Sequence, residues 1–141
     1  MEYGNYRVKS PVKSFRDLEV YQKTIELSEE ITSLPFLKGM ERDAQEIKSA
    51  AESIPRLIAE SYGDKFDSRE LAHRKLTESV TLITDMITKI DLFRQKFAND
   101  RESKEALDRL LTRYQTQKMK VLNLRKAWQR IGNAGNFGGR K

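Results

Sequence analysis

Cysteine is absent from the 141 residues of this chain, and histidine occurs once, as His73. The first absence excludes disulfides, thiolate nucleophiles and Cys-ligated zinc, and it agrees with a reducing, cytoplasmic setting. Proline is scarce, at three residues, and glycine is rare before Gly132, so little interrupts a helix. No stretch approaches the ~18 consecutive apolar residues that would span a bilayer. The opening segment MEYGNYRVKSPVKS also lacks the apolar core of a secretory signal, so no membrane partner is expected. These limits leave one helical domain of ordinary size.

Acidic residues are missing from one end only. Residues 109–141 hold nine Lys or Arg and no Asp or Glu. Residues 1–16 carry four basic groups against one acid, which leaves 14 basic and 20 acidic groups for residues 17–108. A net charge of +6 therefore conceals a chain with basic ends and an acidic middle.

Hydrophobic period divides the rest into four amphipathic runs. The first starts after Ser14, an N-cap with Asp17 as an imperfect capping-box partner, and extends to about Leu34. Its stripe is Leu18, Tyr21, Ile25 and Ile31, interrupted by Ser28 and widened by Val20 and Leu27. The second goes from about Met40 to Tyr62 through Ala44, Ile47, Ala51, Ile54 and Ile58, with Gly63 expected as its C-cap. Pro55 falls inside this run, where it removes the hydrogen bond to the Ala51 carbonyl at a cost of ~3 kcal/mol. Two readings are open: a kink at a close packing contact beside Ala50, Ala51 and Ala59, or a helix that restarts with Ser53 as its cap.

Asp67 or Ser68 can cap the third run, which continues through Leu76, Val80, Ile83, Ile87, Ile90 and Phe97. Asp100 or Ser103 can cap the fourth, which is the most regular: Leu107, Leu110, Tyr114, Gln117, Val121, Leu124, Trp128 and Ile131, ended by Gly132. Short connections predict an all-α, up-down-up-down antiparallel four-helix bundle over residues 14–131. A flexible basic arm over 1–13 and a flexible Gly-rich basic tail over 132–141 flank it. That topology brings both basic ends to one pole.

Two segments carry a resemblance. FRDLEVYQK, residues 15–23, and SAAESIPRLIAESYGDKFDSRE, residues 49–70, are similar to the four-helix bundle proteins named for the intervening sequences of 23S ribosomal RNA genes. Phe15, Asp17, Leu18, Val20, Tyr21, Gln22 and Lys23 match the family's first segment. Ala50, Ala51, Ser53, Ile54, Pro55, Ile58, Ala59 and Glu60 match its second, including the proline. The chain departs from the family at Ser49, Leu57 and Ser61, where a basic residue, an Asn and a Gly are usual. The resemblance implies a ring-shaped homo-oligomer of five bundles. Through the distantly similar accessory variability determinant proteins of diversity-generating retroelements, it also implies a basic ring that meets RNA and a reverse transcriptase.

The residues themselves favour binding over catalysis. Glu70 and His73 have Glu-x-x-His spacing, but a di-iron bundle needs a second such pair, and the chain has no second histidine. Glu60 and Asp64 are four apart without a nucleophile or phosphate loop near them, and a structural role for Glu60 is expected. No catalytic residue, metal or cofactor is therefore expected, and the chain is read as no enzyme. The expected nucleic-acid-binding surface is centred on the fourth helix: Arg109, Arg113, Lys118, Lys120, Arg125, Lys126 and Arg130. A merely solvated basic face is the alternative, as is an adaptor that uses this face to meet a protein partner. Tyr3, Tyr6, Arg7, Phe137 and Arg140 place aromatics beside cations in the two tails, a composition that stacks on single-stranded bases when it is not simply disordered. Trp128 and Tyr114 read as core, while Leu111 and Leu122 beside the seam suggest a subunit interface.

Overall fold

A capping box begins the fold. The Ser14 hydroxyl accepts the Arg16 N–H at 3.2 Å, and the Asp17 carboxylate accepts the Ser14 N–H at 3.3 Å. These bonds close a 3-10 turn over Phe15–Asp17 rather than the helix itself, which starts after an extended Leu18. The structure is a computed structural model and describes residues 14–139. The arm over 1–13, with Tyr3, Tyr6 and Arg7, lies outside the described residues, as do Arg140 and the side chains of Ile131 and Phe137.

Four α-helices follow: α1 (Glu19–Thr32), α2 (Glu41–Asp64), α3 (Arg69–Lys96) and α4 (Arg101–Gly139), with a second 3-10 turn over Pro35–Gly39. Among the described residues there is no strand, and no helix is long and apolar enough to cross a membrane. Helix α2 packs against α1 and α3, and α4 packs against α3 and α1. Ile54, Ile58, Ile83, Leu107, Leu110 and Tyr114 form the fully buried centre.

The buried stripes are rotated from those read by apolar residues alone. Helix α1 buries Val20, Thr24, Leu27, Ser28 and Ile31, leaving Tyr21 and Ile25 half-buried. Helix α3 buries Ala72, Leu76, Ser79, Ile83, Met86, Ile90 and Phe93, so Ser79 and Met86 take the places expected for Val80 and Ile87. The hydroxyls of Thr24 and Ser79 are tolerated there because both find an acceptor on their own helix. Thr24 Oγ1 donates to the Val20 carbonyl at 2.7 Å and Ser79 Oγ to that of Leu76 at 2.8 Å.

Pro55 lies buried within an unbroken α2. Ser53 Oγ donates to the Ser49 carbonyl at 2.8 Å, so Ser53 sits inside the helix and does not restart it. Gly63 also differs from expectation. It has no positive φ, and the helix passes through it to end at Asp64, with the Lys65 N–H bonded to the Ser61 carbonyl at 3.0 Å. Ser68 caps α3 by accepting the Leu71 N–H at 3.1 Å. Helix α4 follows directly on Asp100, whose carboxylate accepts the Ser103 hydroxyl at 2.6 Å, and continues past Gly132 to Gly139.

Aromatic side chains gather at two connections. Phe36, in the α1–α2 connection, lies 4.3 Å from Phe97 and 5.3 Å from Phe93, centroid to centroid. At the α2–α3 connection Tyr62 meets Phe66 edge-on at 5.4 Å and Trp128 of α4 at 6.4 Å. Such pairs add ~0.5–1.5 kcal/mol beyond their burial.

Candidate functional site

The seven basic residues expected to form one surface on α4 are divided by the apolar seam. Arg109, Arg113 and Lys120 face α1. Arg109 reaches Glu30 at 3.7 Å, Arg113 bonds Glu30 and lies 3.6 Å from Glu26, and Lys120 meets Glu19 at 3.3 Å. Acids spaced 19, 26, 30 on α1 thus meet bases 109, 113, 120 on α4 in reverse order. Each exposed pair is worth ~0.2–1 kcal/mol; the larger effect is that three of the seven cations already have counter-charges. On the other flank Arg125 Nη1 donates to Thr77 Oγ1 of α3 at 2.8 Å, and Lys118, two turns earlier, shares that flank by helical spacing. Lys126 and Arg130 are exposed.

A groove of about 450 Å³ opens where the α2–α3 connection meets α4. Lys65, Arg69, Arg74 and Arg125 border it with a single acid, Glu70, and His73, Leu76 and Trp128 line it further. The chain turns tightly here: the Asp67 and Ser68 N–H groups both bond the Asp64 carbonyl, at 2.9 and 2.7 Å. This turn holds Lys65 against three rings, with its ammonium 4.2 Å from the Phe66 centroid, 5.1 Å from Tyr62 and 5.4 Å from Trp128. Among the described residues no carboxylate forms a salt bridge with Lys65, Arg69, Arg74 or Arg125. Cations elsewhere in the bundle are treated differently. Arg94 bonds Asp91 and Asp108 at 2.9 and 3.0 Å, and Lys89 bonds Glu46 at 2.9 Å. The bond from Arg94 holds the Asp108 carboxyl below its ordinary value, and that from Lys89 does the same for Glu46.

The other candidate chemistry resolves into packing. Lys75 Nζ bridges Asp64 at 2.8 Å and Glu60 at 3.3 Å, and Arg56 also bonds Glu60 at 3.2 Å. Both carboxylates therefore tie α2 to α3, and the bond that Lys75 donates to Asp64 raises the Lys75 pKa. Glu70 and His73 border the groove, and no group of three or more potential ligands that could hold a metal ion occurs among the described residues. Tyr114 is fully buried, as read from its place on the seam, whereas Trp128 is only half-buried and lines the groove.

No protein-family model matches the chain, and neither does any curated protein or solved structure. The residues that carry the family resemblance occupy structural places: Phe15 meets Tyr21 edge-on at 5.0 Å, and Ala51, Ile54, Pro55 and Ile58 are buried.

Sequence reasoning missed Lys65, Arg69 and Arg74 because they lie in the segment whose net charge is acidic. Their signal was local: SYGDKFDSRELAHRK, residues 61–75, interleaves Tyr62 and Phe66 with four Lys or Arg.

Proposed function

We propose that the protein is a non-catalytic, oligomeric helical bundle that binds nucleic acid through the cationic groove and the adjoining outer face of α4. Lys65, Arg69, Arg74 and Arg125 contact phosphates in the groove, and Lys118, Lys126 and Arg130 extend the path. The supporting observation is the imbalance around the groove, four cations against one carboxylate, in a protein whose other interhelix cations are paired. A polyanion laid there relieves like-charge repulsion and releases its own counterions. RNA is favoured over DNA through the resemblance to the intervening-sequence proteins, and a cytoplasmic setting through the lack of cysteine.

The up-down-up-down order belongs to the same reading. Its support is that neighbouring helices pair in reversed sequence order: Glu46 with Lys89 and Asp64 with Lys75, Asp108 with Arg94 and Arg125 with Thr77. The five-membered ring comes from the resemblance, and the half-buried Leu111 and Leu122 with the 56% exposed Met119 on α4 support a contact between copies. Repetition in a ring multiplies weak phosphate contacts.

Anisotropy of a labelled RNA pool tests the function, with light scattering of the same samples for mass. The expected result is binding that weakens steeply between ~50 and ~200 mM salt, on an assembly several times the chain mass. Binding indifferent to salt refutes the nucleic-acid reading. A pull-down partner that survives nuclease, without RNA binding, favours a protein adaptor such as a reverse-transcriptase accessory factor.

A further inference from the structure

We infer that the groove receives one unpaired nucleotide, with its base against Trp128 and its phosphate among Arg69, Arg74 and Arg125, so that the protein prefers single strands to duplexes. This rests on the nucleic-acid reading above and adds the type of strand.

Size, chemistry and order agree. A volume of about 450 Å³ lies within the ~300–1,000 Å³ range of clefts that enclose small ligands, whereas a duplex offers a continuous convex backbone. Inside a duplex a base is stacked and paired, and no side chain reaches its face without extruding it. An unpaired base presents that face freely, and stacking on an aromatic side chain is sequence-tolerant. Among the described residues Trp128 is the only Phe, Tyr or Trp that lines the groove. Tyr62, at 6.4 Å between ring centroids, and the Lys65 ammonium, 5.4 Å from the indole centroid, lie against it, so the ring is packed against neighbours at the groove before ligand arrives.

The phosphate end is also prepared. Thr77 fixes the Arg125 guanidinium through one hydrogen bond of 2.8 Å, and the remaining donors are available for an anion. Arg69 and Arg74 are exposed and have no ion pair among the described residues, so binding phosphate breaks no internal bond. By contrast, Arg113 would have to release Glu26 and Glu30 to do the same.

The chain has one tryptophan, so its emission reports on this groove alone. The test titrates the full-length protein with a homopolymeric single-stranded RNA, a blunt duplex of equal length, and the corresponding mononucleotide. Trp emission and anisotropy of labelled strands are both read. The single strand is expected to quench Trp128 and to bind roughly five- to a hundred-fold more tightly than the duplex, the range that stacking one base supplies. Trp128→Leu should bring single-strand affinity down to the duplex level, while Trp128→Phe, which keeps a ring and the packing, retains the preference. Arg69→Ser with Arg74→Ser, both on the surface, should weaken single-strand binding without changing the thermal melt. Equal binding of single strand and duplex with unchanged emission overturns this inference and leaves the nucleic-acid reading standing. Failure of both to bind removes the two together, and a mononucleotide as tight as the strand overturns it in favour of a free-nucleotide site.

Discussion

Tyr114→Phe should make this protein more stable. The Tyr114 side chain is fully buried, and its hydroxyl has no hydrogen-bond partner among the described residues. An unpaired buried polar group costs ~1–3 kcal/mol in desolvation, while deleting one oxygen forfeits a few dispersion contacts of ~0.1–0.2 kcal/mol each. The net expectation is a gain of ~1 kcal/mol near neutral pH, or about 3 °C in Tm for a domain of this size. Alkaline pH amplifies the difference. Burial first, and the nearby Glu30 carboxylate second, push the Tyr114 phenol well above its usual value. A raised native pKa contributes stability that is fully present below the unfolded value of ~10 and is lost as pH rises toward the native one. Once pH exceeds ~10, the wild type should therefore lose ~1.4 kcal/mol per pH unit relative to Tyr114→Phe. Urea unfolding at pH 8, 10 and 11, analysed as the difference between the two proteins, isolates this group from the other tyrosines. A variant less stable by more than ~1 kcal/mol at pH 8, with no divergence on raising pH, would mean that the hydroxyl has a partner, and the reasoning from its isolation fails.

Three further outcomes are expected. Ile83→Ala removes a fully buried side chain from the centre of α3 and should cost ~2–5 kcal/mol in chemical denaturation; a loss below ~1 kcal/mol would place Ile83 outside the core. Pro55→Ala restores an N–H for the Ala51 carbonyl and relieves ~3 kcal/mol of proline cost, against ~1.6 kcal/mol for two buried methylenes, so stability should rise by ~1 kcal/mol. A drop of more than ~2 kcal/mol would show that the proline's shape is itself required. Glu46 and Asp108, both held below their ordinary values, contribute stability above the usual carboxylate range near pH 4 that fades as pH falls through their lowered native values. Glu46→Gln with Asp108→Asn should flatten the acid side of a Tm-against-pH curve, and an unchanged slope would contradict the pairing.

How much could be read from sequence differed by element. Helix α4 was legible because its buried positions are nearly all apolar, and the cap at Ser14, with Ser68 as one of two candidates for α3, was legible because these side chains act within three residues. The faces of α1 and α3 were read about a third of a turn or less off, since Thr24 and Ser79 occupy core positions that a hydrophobic scale scores as solvent. Only the structure shows their hydroxyls satisfied on their own helices. For the candidate site, Arg125 was found from charge alone, but the division of the basic residues was not. The acid row of α1 was present in the sequence at mirrored spacing, yet pairing it with α4 requires knowing which helices are neighbours. Lys65, Arg69 and Arg74 escaped because net charge over a long segment averages away a local cluster.

The claim on which the account turns is that unpaired cations of the groove, and not the paired ones facing α1, meet phosphate. The most direct measurement is the slope of log affinity against log salt for single-stranded RNA in two double variants, Arg69→Gln/Arg74→Gln and Arg109→Gln/Arg113→Gln. Every phosphate of a single strand that a variant no longer neutralises lowers the slope by ~0.7. The account predicts a decrease of ~1.4 for the groove variant and little change for the other. A decrease confined to Arg109→Gln/Arg113→Gln would contradict it.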